Sequence, residues 1–214
     1  MEKPIIATTL SGLFLSQKPW KNAHVLWYEN ASIKLNDDSV KQWAFREDYF
    51  KGVDEVMKRL YPRLSDEQRT KKARELFFNS VCQYIKKHSE VRNDSVVKYF
   101  ESLKSKYRIA LITTNTQSAL KKILSILDLN NLFDIVETSL PEEKDDKRKV
   151  FDRFIEKHGK PLIYIGGSRK DSFDYCKEYG IPCIYANLEK EEEIHEVTSV
   201  HNLAGLKKEL RKLI

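Results

Sequence analysis

Glycine and proline are scarce in this chain, at 7 and 6 of 214 residues, while 33% of the residues are charged. So few turn-formers beside so much charge leave long charged helices as the natural explanation. Cysteine is scarcer still. Cys82, Cys176 and Cys183 follow no metal-ligand spacing and, being three, cannot all pair. Each sits among apolar neighbours, so buried free thiols in a reducing compartment are expected. No stretch approaches the roughly 18 consecutive apolar residues of a membrane span. The apolar run near the start, "PIIATTL", is too short for a signal peptide. These absences argue against membrane association and lead to a cytoplasmic expectation.

What is present describes a folded chain: 41% hydrophobic and 11% aromatic residues, enough for one core with a smaller inserted lobe. The 38 Lys and Arg exceed the 32 Asp and Glu by six charges. Acids and bases are interleaved, as in "KDDKRK" and "EKEEEIHE", which is the pattern of solvated helix faces. The most basic candidate, "SDEQRTKKAR" (65–74), contains acids as well. Nucleic acid is therefore the minor alternative among possible partners. The five histidines, at 24, 88, 158, 195 and 201, are too scattered to suggest a metal cluster.

The second half alternates between two periodicities. "RIALITT" (108–114), "FDIVETS" (133–139), "PLIYIGG" (161–167) and "IPCIYAN" (181–187) have the apolar runs of buried strands. Between and after them lie amphipathic helices at 115–129, 146–159, 171–180 and 202–214. "PIIATTL" (4–10) is a further strand, and the interval up to 108 is helical. "VKQWAFREDYFKGVDEVMKRL" repeats Phe45, Tyr49, Val53, Val56 and Leu60 at helical spacing, and Ser65 with Gln68 forms a capping-box pattern before the next helix. The fold class is α/β: a Rossmann-like parallel sheet with an inserted α-helical cap lobe. The expected division is 1–14 with 96–214 as the core and 15–95 as the cap. The aromatic and basic "KPWKNAHVLWY" (18–28) stands at the junction, where Trp20, Trp27 and Tyr28 either pack the cap or stack on a ligand.

A strand, a helical insertion, then "LITTN", a Lys-rich segment and "IYIGGSRKD", in that order, resemble the haloacid dehalogenase superfamily, most of whose members are Mg²⁺-dependent phosphohydrolases. The resemblance covers nearly the whole chain. It implies an aspartate nucleophile ending the first strand, an acid/base aspartate two residues later, a phosphate-binding Ser/Thr, a lysine, and acids completing a magnesium site. In this chain the nucleophile's place falls on Thr8, the acid/base's on Leu10, and the leading metal acid's on Gly167. No Asp or Glu occurs between Lys3 and Tyr28, so no shift of register restores the pair. Asp171 survives at the outer acidic position as a vestigial metal residue.

Catalysis by the family's route is therefore not expected, and no metal or other cofactor is expected. Loss of the nucleophile alone costs covalent hydrolases about 10⁶ in turnover. Thr114, Asn115, Lys144 (preferred over Lys147 as the family lysine), Lys147 and Ser168 remain as candidate anion-binding groups. With Arg169 and Lys170 alongside, they should make the cleft net positive. The expected function is that of a pseudoenzyme: a non-catalytic scaffold for an unidentified protein partner, or a binder of a small anionic or phosphorylated ligand. The alternative is an active phosphatase of this family with rearranged residues, such as Glu47 or Asp48 supplied by the cap, and only that reading calls for Mg²⁺. Restoring Thr8→Asp, Leu10→Asp and Gly167→Asp together is expected to recover magnesium binding.

Overall fold

The computed structural model describes residues 2–46, 49–189 and 192–214, apart from the side chains of Tyr49 and Phe50. Glu47 and Asp48, the acids considered for a rearranged site, lie outside the described residues. Six strands form one sheet: β1 (Ile5–Thr8), β2 (Arg108–Thr116), β3 (Ile135–Ser139), β4 (Ile163–Gly166), β5 (Cys183–Ala186) and β6 (Thr198–Val200). Their order is β3-β2-β1-β4-β5-β6 and every neighbouring pair is parallel. Parallel pairing needs crossovers, and the helices that make them cover both faces.

Alternation along β1 sorts the layers. Ile5 and Ala7 face a cluster with Val150, Phe151 and Phe154 of α6 (Lys147–His158) and with Phe173, Tyr175 and Cys176 of α7 (Lys170–Glu178). Ile6 faces the opposite cluster, built with α4 (Asp94–Leu103), α5 (Gln117–Ile126) and α8 (Leu203–Leu213).

Between β1 and α4 come α1 (Lys18–Leu35), a 3-10 helix (Asp38–Phe45), α2 (Tyr49–Leu60) and α3 (Asp66–Lys87). They enclose a third cluster of Trp27, Tyr28, Ala31, Val40, Val56, Met57 and Ala73. Trp27 and Tyr28 are thus packing residues, and Trp20 packs against the sheet's cluster. Ser65 caps α3 with the full capping box that "SDEQ" predicts. The far half of α3 leaves the third cluster: Phe78, Val81, Cys82 and Ile85 pack with the sheet residues.

Three expectations need correction. The helix expected across 40–60 is a 3-10 turn followed by α2, and Phe45 is 79% exposed instead of inward-facing. Strand β6 went unseen because three residues are too few to show a period. The first strand stops at Thr8, because Leu10 has already turned into a compact loop. No helix among the described residues is long and apolar enough to cross a membrane.

Candidate functional site

In open parallel sheets, ligands bind in the crevice beyond the carboxyl ends of the central strands. Here that edge belongs to β1, β2 and β4, and the register sets Thr8 beside Leu111 and Ile165. Thr8 is fully buried, and its hydroxyl donates to the Ala110 carbonyl at 2.8 Å. The loop that follows is apolar and packs into the core. Leu10, Leu13, Phe14 and Leu15 are each at most 1% exposed, and the N–H groups of Phe14 and Leu15 both donate to the Leu10 carbonyl at 3.1 Å. Phe14 packs edge-on against Phe100 and Phe133, with ring centroids 4.9 and 5.3 Å away. Burying each of these side chains is worth about 1.5–3 kcal/mol.

The loop after β4 closes onto that loop. Gly12 adopts φ +79°, a left-handed conformation that favours glycine, and its backbone lies against Gly167. A Cβ on Gly167 would lie 2.6 Å from the Gly12 carbonyl oxygen and 2.7 Å from its Cα. Both positions exclude any side chain. Gln17 secures the closure: its side-chain amide donates to the Gly167 carbonyl at 3.2 Å, and its backbone N–H donates to the Glu189 carboxylate at 3.0 and 3.1 Å.

Beside this contact lies a charge cluster. Arg169 donates to both carboxylate oxygens of Asp171, at 3.1 and 2.5 Å, and to Asp145 at 2.7 Å. Lys147, at the start of α6, is buried and donates to the Ile112 carbonyl. Burial first, and the Arg169 charge second, push its amine down to about 7. Arg169 thus stands against two carboxylates, with Lys147, which loses its charge above about pH 7, behind them. The cleft is not the net-positive site expected from Arg169 and Lys170: Asp145 and Asp171 neutralise Arg169, and Lys170 is exposed.

The anion-binding candidates separate accordingly. Asn115 is buried and donates to the Thr113 hydroxyl through its side-chain amide at 2.8 Å and its backbone N–H at 3.2 Å. Thr114 is half-buried, and its carbonyl accepts from Arg74 of α3. Ser168 is half-buried between the glycine contact and Arg169. Lys144, preferred from the sequence, stands apart: its side chain is 76% exposed and pairs with Asp54 of α2 at 3.0 Å. The lysine inside the cluster is Lys147, because its position opens α6 on the face turned towards β2.

Arg74 was not anticipated. It also donates to the Ser139 hydroxyl at 3.0 Å, to the Leu140 carbonyl at 3.2 Å and to the Glu143 carbonyl, fastening α3 to the ends of β2 and β3. No local signal identifies it, since its acceptors lie 40 to 69 residues away. The contact of Gly12 with Gly167 carries no local signal either, since it joins segments far apart in sequence.

Comparison with known proteins places this architecture. The family model described as haloacid dehalogenase-like hydrolase matches residues 3–171. The chain belongs to that family. A comparison with curated sequences returned no match. Among solved structures, the chain is similar to a HAD phosphatase from Thermococcus onnurineus, with 17% identity, TM-score 0.64 and 97% of each chain covered. It is also similar to β-phosphoglucomutase from Clostridium difficile, with 14% identity, TM-score 0.65, and 99% of this chain and 98% of that one covered. A third is the HAD-hydrolase YfnB of Bacillus subtilis, determined bound to magnesium, with 12% identity, TM-score 0.61, and 99% and 100% covered. At these identities the likeness is one of fold.

The family typically uses Mg²⁺, an ion that needs hard oxygen donors in near-octahedral array. The residues that the sequence assigns to the corresponding positions do not fit it. Thr8 has committed its hydroxyl to a carbonyl, Leu10 is apolar and buried, Gly167 has no room for a side chain, and Asp171 is paired with Arg169. Among the described residues, no group of three or more His, Cys, Asp or Glu side chains converges to hold a metal.

The expectation that three aspartates would restore magnesium binding assumed an intact scaffold, and these contacts change what is predicted for the triple variant. Thr8→Asp, Leu10→Asp and Gly167→Asp together force a side chain into the Gly12 backbone and a carboxylate into the core, costing several kcal/mol. Circular dichroism melting should show a large drop in Tm, and calorimetric titration should show no Mg²⁺ binding. Lys147 makes a separate prediction. Its folded pKa, about 7, lies below the roughly 10.4 of an unfolded lysine. The unfolded state therefore binds more protons between these values, so stability rises across that window and is lost again as pH falls towards 7. Urea unfolding from pH 7 to 10 should show this slope, and Lys147→Met should flatten it.

Proposed function

We propose that this chain is a non-hydrolytic member of its family that has kept the fold as a binding scaffold. The observation that carries this reading is the backbone contact between Gly12 and Gly167, which fills the space between the β1 and β4 loops with main chain. The places of the nucleophile and the general acid/base are held by a hydroxyl and an isobutyl group, both turned inward. Leucine cannot exchange a proton, and a threonine committed to a carbonyl has no base beside it. On this reading the chain uses no metal or other cofactor.

Between the two non-catalytic roles, the internal bonding favours a protein partner over a small anion. Asn115, Lys144 and Lys147 each have partners within the chain, and Arg169 is held by two aspartates. A phosphate entering here would have to displace them. The division into a core of 1–14 with 96–214 and a cap of 15–95 belongs to the same proposal. A rival reading, hydrolysis by rearranged residues, draws on the phosphatases among the structural neighbours.

Both are tested by incubating the purified protein with p-nitrophenyl phosphate and small phosphomonoesters, with Mg²⁺ and with EDTA. We expect no EDTA-sensitive turnover, and no thermal stabilisation by phosphate at concentrations where a bound ligand at one hundred times Kd would give about 2.7 kcal/mol. Turnover that EDTA abolishes would establish the rival.

A further inference from the structure

Two cations of the most basic stretch, residues 65–74, border a cavity of their own. It measures about 230 Å³, is open to solvent, and lies between α3 and α5. None of the residues of the Gly12–Gly167 contact or the Arg169 cluster lines it. On α3, Lys71, Arg74, Phe78 and Cys82 recur at three- and four-residue steps and so share one helical face. On α5, Ser118, Ala119 and Lys122 do the same. Cys82 and Ala119 are small, so the groove between the two helices stays open above them.

The floor and the rim of this groove differ in character. Phe78, Cys82 and Ala119 are buried and give an apolar floor. Lys71 and Lys122, one from each helix, are exposed at the rim and have no ion-pair partner among the described residues. Arg74 is held by three carbonyls and the Ser139 hydroxyl, all neutral, so no carboxylate cancels its charge directly. The one acid of the lining, Glu75, is already paired with Lys72 at 3.1 Å.

We propose that this groove docks an acidic segment of a partner protein. One bulky apolar side chain of the segment seats on Phe78, and Asp or Glu residues beside it face Lys71, Arg74 and Lys122. The proposal rests on the reading of this chain as a binding scaffold and names the chemistry of its partner. Volume, polarity and charge together select this occupant. Small-molecule sites ordinarily enclose roughly 300–1,000 Å³ and bury most of the ligand. A smaller, open cavity fits one side chain of a longer chain. An apolar floor inside a polar rim is the arrangement of protein-docking pockets, where a central anchor supplies most of the affinity. Three cations against one paired acid leave the rim positive, which attracts acidic segments and repels basic ones. Asn79 and Ser118, exposed beside them, offer hydrogen bonds to the segment's main chain.

The test immobilises the folded full chain and selects against it random peptides displayed on phage. A selected peptide is then synthesised with a fluorescent label and titrated. Enriched sequences should carry Asp or Glu around one Phe, Leu or Trp. Replacing that apolar residue by Ala should weaken binding about thirtyfold, the loss typical of a central anchor. Lys71→Glu together with Lys122→Glu should weaken it by about tenfold or more. Raising the salt concentration should weaken it as well. A benzophenone at the anchor position should crosslink within residues 71–82 or 116–122 of the wild-type chain, a readout that needs no variant. No enriched peptide, enriched peptides without acids, binding indifferent to the double reversal, or crosslinks elsewhere would each overturn the groove. Any of these leaves the scaffold reading standing if phosphomonoesters are not hydrolysed. EDTA-sensitive turnover removes that reading and leaves the peptide result to be judged on its own.

Discussion

Two glycine backbones in contact at the carboxyl edge of the sheet constrain everything around them. A parallel sheet of this order opens a crevice where its central strands end, and ligands ordinarily occupy it. Here the apolar β1 loop packs into the core cluster on one face of the sheet, Gly12 at φ +79° presents its backbone, and Gly167 accepts it because it has no Cβ. Each glycine requires the other. A side chain at 167 would run into the Gly12 backbone unless this loop moved.

Charge follows the same logic. A site that holds a metal leaves carboxylates unpaired until the ion arrives. In this chain Asp171 and Asp145 instead share the Arg169 guanidinium, while Lys147 is fixed on a backbone carbonyl behind them. The charges of the cluster pair with one another inside the chain. The bonding of Arg74 across β2 and β3 extends this pattern to the helical insertion, holding α3 against the same edge. Charge-assisted bonds of this kind are worth about 1.5–3 kcal/mol each, well above an exposed pair such as Lys144 with Asp54.

Much of the fold was legible because it rests on local pattern. Continuous apolar runs marked four strands in the second half, and the capping box at Ser65 marked the start of α3. Strand β6 and the 3-10 helix at Asp38–Phe45 escaped, one too short for a period and the other close enough in spacing to pass for α-helix. Family membership was also legible from motif order, as the family match over residues 3–171 shows. The places given to Thr8, Leu10 and Gly167 are the sequence's own assignment. What the residues do at those positions was not legible. The preference for Lys144 over Lys147 followed spacing alone, whereas burial against Ile112 separates the two lysines. The contact of Gly12 with Gly167 and the reach of Arg74 join segments far apart in sequence, and no periodicity reports such pairs.

The most direct test of the closed edge is anomalous diffraction from crystals of the wild-type protein soaked in Mn²⁺, a stand-in for magnesium with a measurable signal. The account predicts continuous main-chain density where Gly12 meets Gly167, and no anomalous peak beside Asp171. A six-coordinate ion seated between those loops, with Asp171 released from Arg169, would contradict it.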